Sequence, residues 1–240
     1  MSRLLIVEDN PEYRKGARDF FDSISVSPVY ATDYNSAIEN LPADAAMNDC
    51  FFPKETGSGD ISLGKEVIDR MAQSDPREMR VRRAYEVLSP FADVNDPELR
   101  KYVRFFVNRI QGEMSEDPVL MAIKQVSEVD KGIATLAAKN TLGLMYREKD
   151  DRDYYGALTK AMDESEANQP LGIKVAERAT ELKIPLVLVT STYHHDILTQ
   201  PVQDYAGRRG WRLIDCFQNQ DEKATPEFWQ RAYDALTARV

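Results

Sequence analysis

The sequence predicts an α/β fold built on a parallel sheet and interrupted in its middle by an all-α segment. Short apolar runs alternate with amphipathic helical patterns at both ends of the chain, which is typical of βαβ units. Residues 60–170 between those ends contain several helical patterns and no convincing strand. With 240 residues, the chain is long enough to bury a sizeable core.

The N-terminal part predicts three strands and two helices. Residues 4–7 form a continuous apolar run, typical of a strand that is buried on both faces of a parallel sheet. Asn10 followed by Pro11 predicts the start of the first helix. A second strand is predicted at 26–31, at an edge because it contains a proline. A short helix then leads to a weaker third strand at 45–47.

The C-terminal part continues the same alternation. Helical spacing of apolar residues predicts a helix over 171–183, and residues 184–189 form the clearest buried strand of the chain. A further helix surrounds Ile197 and Val202, the last strand is predicted at 211–216, and Thr225-Pro226 is typical of a final helix start. Together the two ends predict five strands in one discontinuous domain.

We therefore expect one α/β domain formed by residues 1–59 and 171–240, with residues 60–170 as a helical insertion after the third strand. The polar run 163–170 is interpreted as the exit linker of this insertion. Within the insertion, two apolar helix faces are predicted. The first consists of Leu99, Tyr102, Val103, Phe106 and Ile110, and the second of Leu120, Ile123, Val126, Ile133 and Leu136.

Composition excludes some classes of protein and disfavours others. The net charge of −9 disfavours general nucleic-acid binding, because phosphate repels an acidic surface. The arginine-rich stretch 77–109 is interpreted as a solvated helical face, with an acidic-partner or nucleic-acid surface as the alternative. No apolar run is long enough for a membrane span, and an early acidic pair argues against a secretory signal. Cys50 and Cys216 imply no disulfide framework, so a cytoplasmic location is expected.

Several spaced motifs resemble the receiver domain of bacterial response regulators. The segment Ile6-Val7-Glu8-Asp9-Asn10 resembles the family's first strand with its acidic pair. The segment Asp49-Cys50-Phe51-Phe52-Pro53, with Gly57 after it, is similar to the phosphoacceptor aspartate and its following proline and glycine. Thr190 with the small Ser191 resembles the end of the fourth strand. Without its insertion, the chain also has about the length of one such domain.

The resemblance implies a flavodoxin-like five-stranded parallel sheet in the order 2-1-3-4-5. It also implies a two-component signalling protein in which Asp49 is the phosphoacceptor and Thr190 is the hydroxyl residue that contacts the phosphoryl group. The phosphoryl group would come from a histidine kinase or a small phosphodonor. Mg²⁺ would be held by Glu8, Asp9, Asp49 and the backbone carbonyl of Phe51. No enzymatic activity beyond self-phosphorylation is implied.

The sequence departs from the receiver pattern at strand five. Residues 213–218 contain no lysine, although receivers carry one there to stabilise the phosphoryl group. Lys54 and Lys223 are the lysines that can reach in from a loop. Ile214 lies where an aromatic residue is common, and Asn48 is more polar than a buried strand favours. A pseudo-receiver, which binds a partner without being phosphorylated, therefore remains as the alternative.

Two further features have no assigned role in the receiver pattern. The insertion follows strand three beside the expected pocket, which makes it the expected effector or assembly surface for a protein partner or a homodimer. His194 and His195, the two histidines of the chain, follow strand four near the pocket rim. A phosphatase of the haloacid-dehalogenase type is disfavoured, because Phe51 stands where that class needs a second aspartate.

Overall fold

The computed structural model describes a sheet-containing unit and a helical unit. The sheet unit consists of Met1–Met71 and Tyr154–Val240, and the helical unit of Ala72–Asp153. The described residues are 3–109, 121, 130–145, 153–192, 196–217 and 219–238.

Five parallel strands form one sheet in the order β2-β1-β3-β4-β5. The strands are β1 (Leu4–Val7), β2 (Val29–Ala31), β3 (Ala45–Asp49), β4 (Leu186–Val189) and β5 (Arg212–Ile214). The expected flavodoxin-like order is therefore confirmed. The insertion separates β3 from β4, yet these strands pair directly, with Asp49 opposite Val189.

The helices alternate with the strands in the sheet unit and stand alone in the helical unit. They are α1 (Pro11–Ser23), α2 (Tyr34–Glu39), α3 (Ser62–Ser74), α4 (Pro76–Leu88), α5 (Pro97–Arg109), α6 (Lys131–Met145), α7 (Tyr154–Glu164), α8 (Gly172–Glu181), α9 (Thr199–Arg208) and α10 (Pro226–Thr237). Asn10 caps α1 as predicted, since its side chain accepts a hydrogen bond from the Glu12 N–H. No helix in the described ranges combines the length and apolar character that crossing a membrane requires.

Strand alternation places one layer of helices on each face of the sheet. Alternate residues of β1, β3 and β4 pack on α1 and α10, where Phe21, Phe228 and Trp229 are fully buried. The opposite face is covered by α8, which contacts β3 and β4. Every residue of β1, β3 and β4 is consequently buried. For β1 and β4, the continuous apolar runs of the sequence predicted this burial.

The element boundaries differ from the predicted ones at four strands and at the predicted linker. β3 extends to Asp49, β4 begins only at Leu186, and β5 covers only Arg212–Ile214. The second strand occupies only Val29–Ala31, because a proline at position 28 fixes φ and lacks the N–H that a ladder uses. Residues 163–170 are not a loose linker: α7 extends to Glu164, a 3-10 turn covers Glu166–Asn168, and Gln169 is fully buried. The sheet unit therefore includes α7 and most of α3, beyond the boundaries predicted at 59 and 171.

The helical unit has its own core around α5. Leu99, Val103 and Phe106 are buried there as predicted. The second predicted face is wrong where the structure describes it, since Ile133 is 51% and Leu136 58% exposed. The buried stripe of α6 contains Ala134, Ala138 and Leu142, because small side chains at i and i+4 let the helix approach its neighbour closely. Ile110, Leu120, Ile123 and Val126 lie outside the described residues.

Candidate functional site

Three carboxylates and a threonine meet at the carboxyl edge of the sheet. Glu8 and Asp9 follow β1, Asp49 is the last residue of β3, and Thr190 follows β4. Parallel strands place these ends at one edge, where ligand sites of open α/β sheets lie. Oxygens of the three carboxylates lie within 4.8 Å of one another. The structure thus brings together the side chains that the sequence singled out.

These side chains line a cavity of about 240 Å³. Its walls come from the ends of β1, β3 and β4, from α1 and α9, and from the 3-10 turn before α8. The lining residues are Glu8, Asp9, Asn10, Tyr13, Asp49, Phe51, Ala167, Asn168, Thr190, Ser191, Thr192 and Leu198.

A lysine from outside the strands supplies the positive charge of the site. The Lys223 Nζ lies 2.6 Å from Glu8 Oε2 and 2.8 Å from Asp49 Oδ1. The side chains of Lys223 and Glu8 are fully buried, and that of Asp49 is 10% exposed. Distances this short are those of ion pairs, so Lys223 bridges the two carboxylates as an ammonium ion.

Lys223 is positioned by the turn that follows β5. It belongs to a 3-10 turn over Gln220–Ala224, and the Trp229 indole N–H donates to the Lys223 carbonyl at 2.8 Å. Gly16 of α1 faces this turn so closely that an added Cβ would overlap the Ala224 carbonyl oxygen. The receiver pattern places this lysine at the end of strand five. The sequence did not favour Lys223 over Lys54, because the direction in which a turn leads the chain depends on tertiary contacts and not on a local motif.

Lys54 has a different partner. Its Nζ lies 2.6 Å from Asp60 Oδ2, in a partly exposed ion pair outside the cavity lining. His194 and His195 lie outside the described residues, so their expected place at the rim stays a prediction. Cys50 and Cys216 are both buried and free, in line with the expectation of no disulfide framework.

Burial shifts the protonation of the cluster. It raises the pKa of Glu8, against the opposing charge of Lys223. Burial also raises the pKa of Asp49, again opposed by Lys223, and raises the pKa of Asp9 to about 6 with a contribution from the Asp49 charge. For Lys223, burial lowers the pKa, but the charges of Asp49 and Glu8 outweigh this effect and raise it above its ordinary value. Burial thus disfavours the charged form of each carboxylate, and Lys223 offsets this effect only in part.

Backbone groups fix the Asp49 carboxylate. The Cys50 N–H donates to Asp49 Oδ1 at 2.8 Å. Asn48, the polar residue of β3, uses its side-chain amide to donate to the Gly172 carbonyl at 2.7 Å, and this bond ties the strand to the start of α8. Gly172 lies so close that an added Cβ would overlap the Asp49 carbonyl oxygen. The polarity of Asn48 thus has a structural explanation.

Thr190 begins a chain of hydroxyl groups. Its Oγ1 lies 2.8 Å from the Thr192 Oγ1, which in turn bonds the Thr199 hydroxyl at the start of α9. Thr190 and Thr199 are buried, so the chain runs from the cavity into the protein. Thr192 and Thr199 were not singled out from the sequence, because threonines near a strand end are common in any α/β protein.

Comparison with known proteins leaves the site to be interpreted from its own chemistry. No protein-family model, no curated protein and no solved structure matches this chain. The arrangement combines three carboxylates, one ammonium group and one hydroxyl around a small cavity. With all groups ionised the cluster carries two uncompensated negative charges, which match one divalent cation.

Proposed function

We propose that the chain is a receiver-like regulatory protein in which Asp49 accepts a phosphoryl group in the presence of Mg²⁺. The observation that carries the proposal is the placement of Lys223 beside Asp49, which lines one cavity with Glu8, Asp9 and Thr190. Phosphoryl transfer depends mainly on positioning and on neutralisation of charge. The cavity supplies a nucleophile and a hydroxyl donor at one sheet edge, and the buried lysine beside it supplies a cation.

The donor set fits a magnesium ion. All the candidate side-chain ligands are carboxylate oxygens, which Mg²⁺ prefers over nitrogen or sulfur. Burial raises the pKa of Asp9 and of Glu8, and a bound cation would favour their ionised forms. Glu8, Asp9, Asp49 and the Phe51 carbonyl would hold the ion, and the ion would neutralise charge on the phosphoryl oxygens.

Asp49, Lys223 and Thr190 would each have a separate role in phosphoryl transfer. An oxygen of Asp49 attacks phosphorus while the bond from phosphorus to the donor's leaving group breaks. The ammonium of Lys223, 2.8 Å from Asp49 Oδ1, would neutralise negative charge beside the reacting carboxylate. Thr190 Oγ1 can donate to another phosphoryl oxygen once it releases Thr192. Release would disturb the hydroxyl chain to α9, which gives the protein a means to report its phosphorylation state.

The test is labelling by acetyl phosphate with Mg²⁺, followed by intact-mass measurement. We expect a mass gain of one phosphoryl group that hydroxylamine removes, as acyl phosphates require. Asp49→Asn should abolish the gain, whereas Asp44→Asn, which changes an aspartate near the other end of β3, should retain it. Hydroxylamine-labile labelling that persists in Asp49→Asn would place the acceptor elsewhere.

A pseudo-receiver is the second candidate, and one observation favours it. Lys223 already bridges Glu8 and Asp49, so the cluster is partly neutralised from within the chain. Such a site can act as a fixed structural element while a surface binds a partner protein. A folded protein that shows no mass gain with acetyl phosphate and Mg²⁺ would support this alternative. In either case we propose a cytoplasmic protein whose helical unit contacts its partner or a second copy.

A further inference from the structure

The segment that leads out of the insertion runs beside the chain that follows β3. We define the exit segment as residues 166–172. Phe52 forms a parallel bridge with Pro170 of this segment, and the Phe52 N–H donates to the Gln169 carbonyl at 3.1 Å. Phe51, the residue before, lines the cavity. The exit segment therefore holds the backbone next to the carbonyl that the proposed magnesium site would use.

The hydrogen bond of the Phe52 N–H sets the direction of the Phe51 carbonyl. The two groups belong to one peptide unit, which is trans and planar, so the Phe51 carbonyl points away from the Gln169 oxygen. The preceding peptide unit is fixed as well, because the Cys50 carbonyl accepts a hydrogen bond from the Gly172 N–H at 3.2 Å. A change in the direction of the Phe51 carbonyl would therefore break a bond to the exit segment.

The side chain of Gln169 anchors the main-chain oxygen that holds this peptide unit. It is fully buried, and its oxygen accepts a hydrogen bond from the Gly64 N–H at 3.2 Å. Its amide nitrogen donates to the carbonyls of Asp60 and Glu166, both at 3.1 Å. A buried side chain whose hydrogen bonds are all satisfied is held in one orientation. The main chain of Gln169 is consequently fixed relative to the loop after β3 and the start of α3.

The direction of a carbonyl ligand matters more for Mg²⁺ than for Ca²⁺. Mg²⁺ requires near-ideal octahedral geometry with ligand distances of about 2.0–2.1 Å, whereas Ca²⁺ accepts flexible arrangements of oxygens at about 2.3–2.6 Å. Groups that orient the ligands of a metal typically contribute about 10–100-fold to its affinity. A carbonyl that is free to change direction would therefore penalise Mg²⁺ more than Ca²⁺.

We propose that Gln169 is a positioning residue that orients the Phe51 carbonyl for a divalent cation and favours Mg²⁺ over Ca²⁺. This inference rests on the proposed function, since it requires the cation site of Glu8, Asp9 and Asp49. Gln169 lies outside the segments that resemble a receiver domain. The exit of the insertion thus contributes to the selectivity of a site whose ligands come from the strand ends.

The experiment measures the affinities of the full chain for Mg²⁺ and for Ca²⁺ by calorimetric titration. Gln169→Met keeps the length of the side chain and removes its three hydrogen bonds. We expect the Mg²⁺ affinity to fall by about tenfold or more, and the ratio of Mg²⁺ to Ca²⁺ affinity to fall with it. Gln169→Asn keeps the amide group, shortens the side chain by one methylene and should lower the ratio by a smaller factor. This milder variant serves where Gln169→Met does not fold.

Two control variants separate positioning from a loss of stability. Leu236→Ala leaves a cavity in the core beside α10 and should lower the temperature of unfolding without a change in the affinity ratio. Gln230→Met makes the same chemical change as Gln169→Met on an exposed side chain and should alter neither the stability nor the ratio.

The possible outcomes distinguish the inference from the proposal on which it rests. An unchanged ratio in both Gln169 variants would overturn the positioning role and leave the cation site standing. A fall by the same factor for both cations, or the same change of ratio in Leu236→Ala, would indicate a general loss of structure and would also overturn it. If the unmodified protein binds Mg²⁺ no more tightly than Asp9→Asn does, the cation site and the inference both fail.

Discussion

Lys223 neutralises buried negative charge in the sheet unit. It is fully buried and bridges two carboxylates at 2.6 and 2.8 Å. A buried ion pair adds little net stability compared with apolar side chains in place of all its members, because each charge loses its hydration on burial. Removal of one partner is different, since the remaining charges stay buried without compensation.

We expect Lys223→Met to lower the free energy of unfolding by about 3–5 kcal/mol near neutral pH, because Glu8 and Asp49 lose their shared cation. Urea unfolding followed by tryptophan fluorescence measures the change. The matched control is Lys54→Met, whose ion pair with Asp60 is partly exposed and screened by water, so that this variant should lose much less stability. Equal losses in the two variants would contradict the assigned role of Lys223.

Asp9 should set the pH dependence of magnesium binding. Its pKa is raised to about 6, so the carboxylate is protonated below that pH and ionised above it. Since a metal ligand must be deprotonated, Mg²⁺ affinity should fall as the pH drops through this value, by up to about tenfold per pH unit for one proton. Calorimetric titration at a series of pH values tests this. Asp9→Asn should bind more weakly and lose this part of the pH dependence.

At the scale of single elements, the backbone of β3 lies very close to the start of α8. Gly172 begins α8 against the last residues of β3, and an added Cβ would overlap backbone atoms of Asp49 and Cys50. Neither strand nor helix can move without loss of the Asn48 hydrogen bond to the Gly172 carbonyl. A side chain at this position would therefore separate the two elements.

We expect Gly172→Ala to destabilise the protein by about 1–3 kcal/mol or more, as overpacking does in a well-packed core. Gly207→Ala in α9 is the control, because an added Cβ there meets nothing within 4 Å and alanine favours a helix by about 0.5–1 kcal/mol. Thermal unfolding should thus shift in opposite directions in the two variants. A stable Gly172→Ala variant would show that β3 and α8 can separate at little free-energy cost.

Elements that depend on local interactions could be predicted from the sequence, whereas those that depend on contacts between distant residues could not. The apolar runs of β1 and β4 and the Asn10 cap are local signals, and the sequence predicted them correctly. The buried face of α6 was not predictable from hydrophobicity, because its alanines are selected by close packing while Ile133 and Leu136 remain exposed. Two features of the site could not be predicted for a related reason. The place of residues 166–169 at the cavity was missed, and the choice between Lys54 and Lys223 was left open, because both depend on contacts between residues far apart in the chain.

At the scale of the whole molecule, the described residues include a hydrophobic cluster in each unit. One cluster joins the sheet to α1 and α10, and the other lies around α5 within the helical unit. Both tryptophans, Trp211 and Trp229, belong to the sheet unit. The two clusters share no residue.

Replacement of residues 72–153 by a flexible glycine-serine linker should leave the sheet unit folded. We expect cooperative unfolding by tryptophan fluorescence, since the tryptophan environments are built within that unit, and Mg²⁺ binding that depends on Asp9 as in the full chain. A linker variant with exposed tryptophans and no cooperative transition would show that the helical unit is needed for the sheet to form.

The discontinuity of the sheet has a consequence during synthesis. β1, β2 and β3 leave the ribosome first. The partner strand β4 follows β3 only after the helical unit, roughly 140 residues later, and Lys223 follows roughly 170 residues later, which takes about 7–35 s at usual elongation rates. In that interval Glu8 and Asp49 have no ammonium partner and one edge of β3 is unpaired. The nascent N-terminal segment should therefore stay open or bind a chaperone, while the helical unit, whose contacts are local, folds ahead of it.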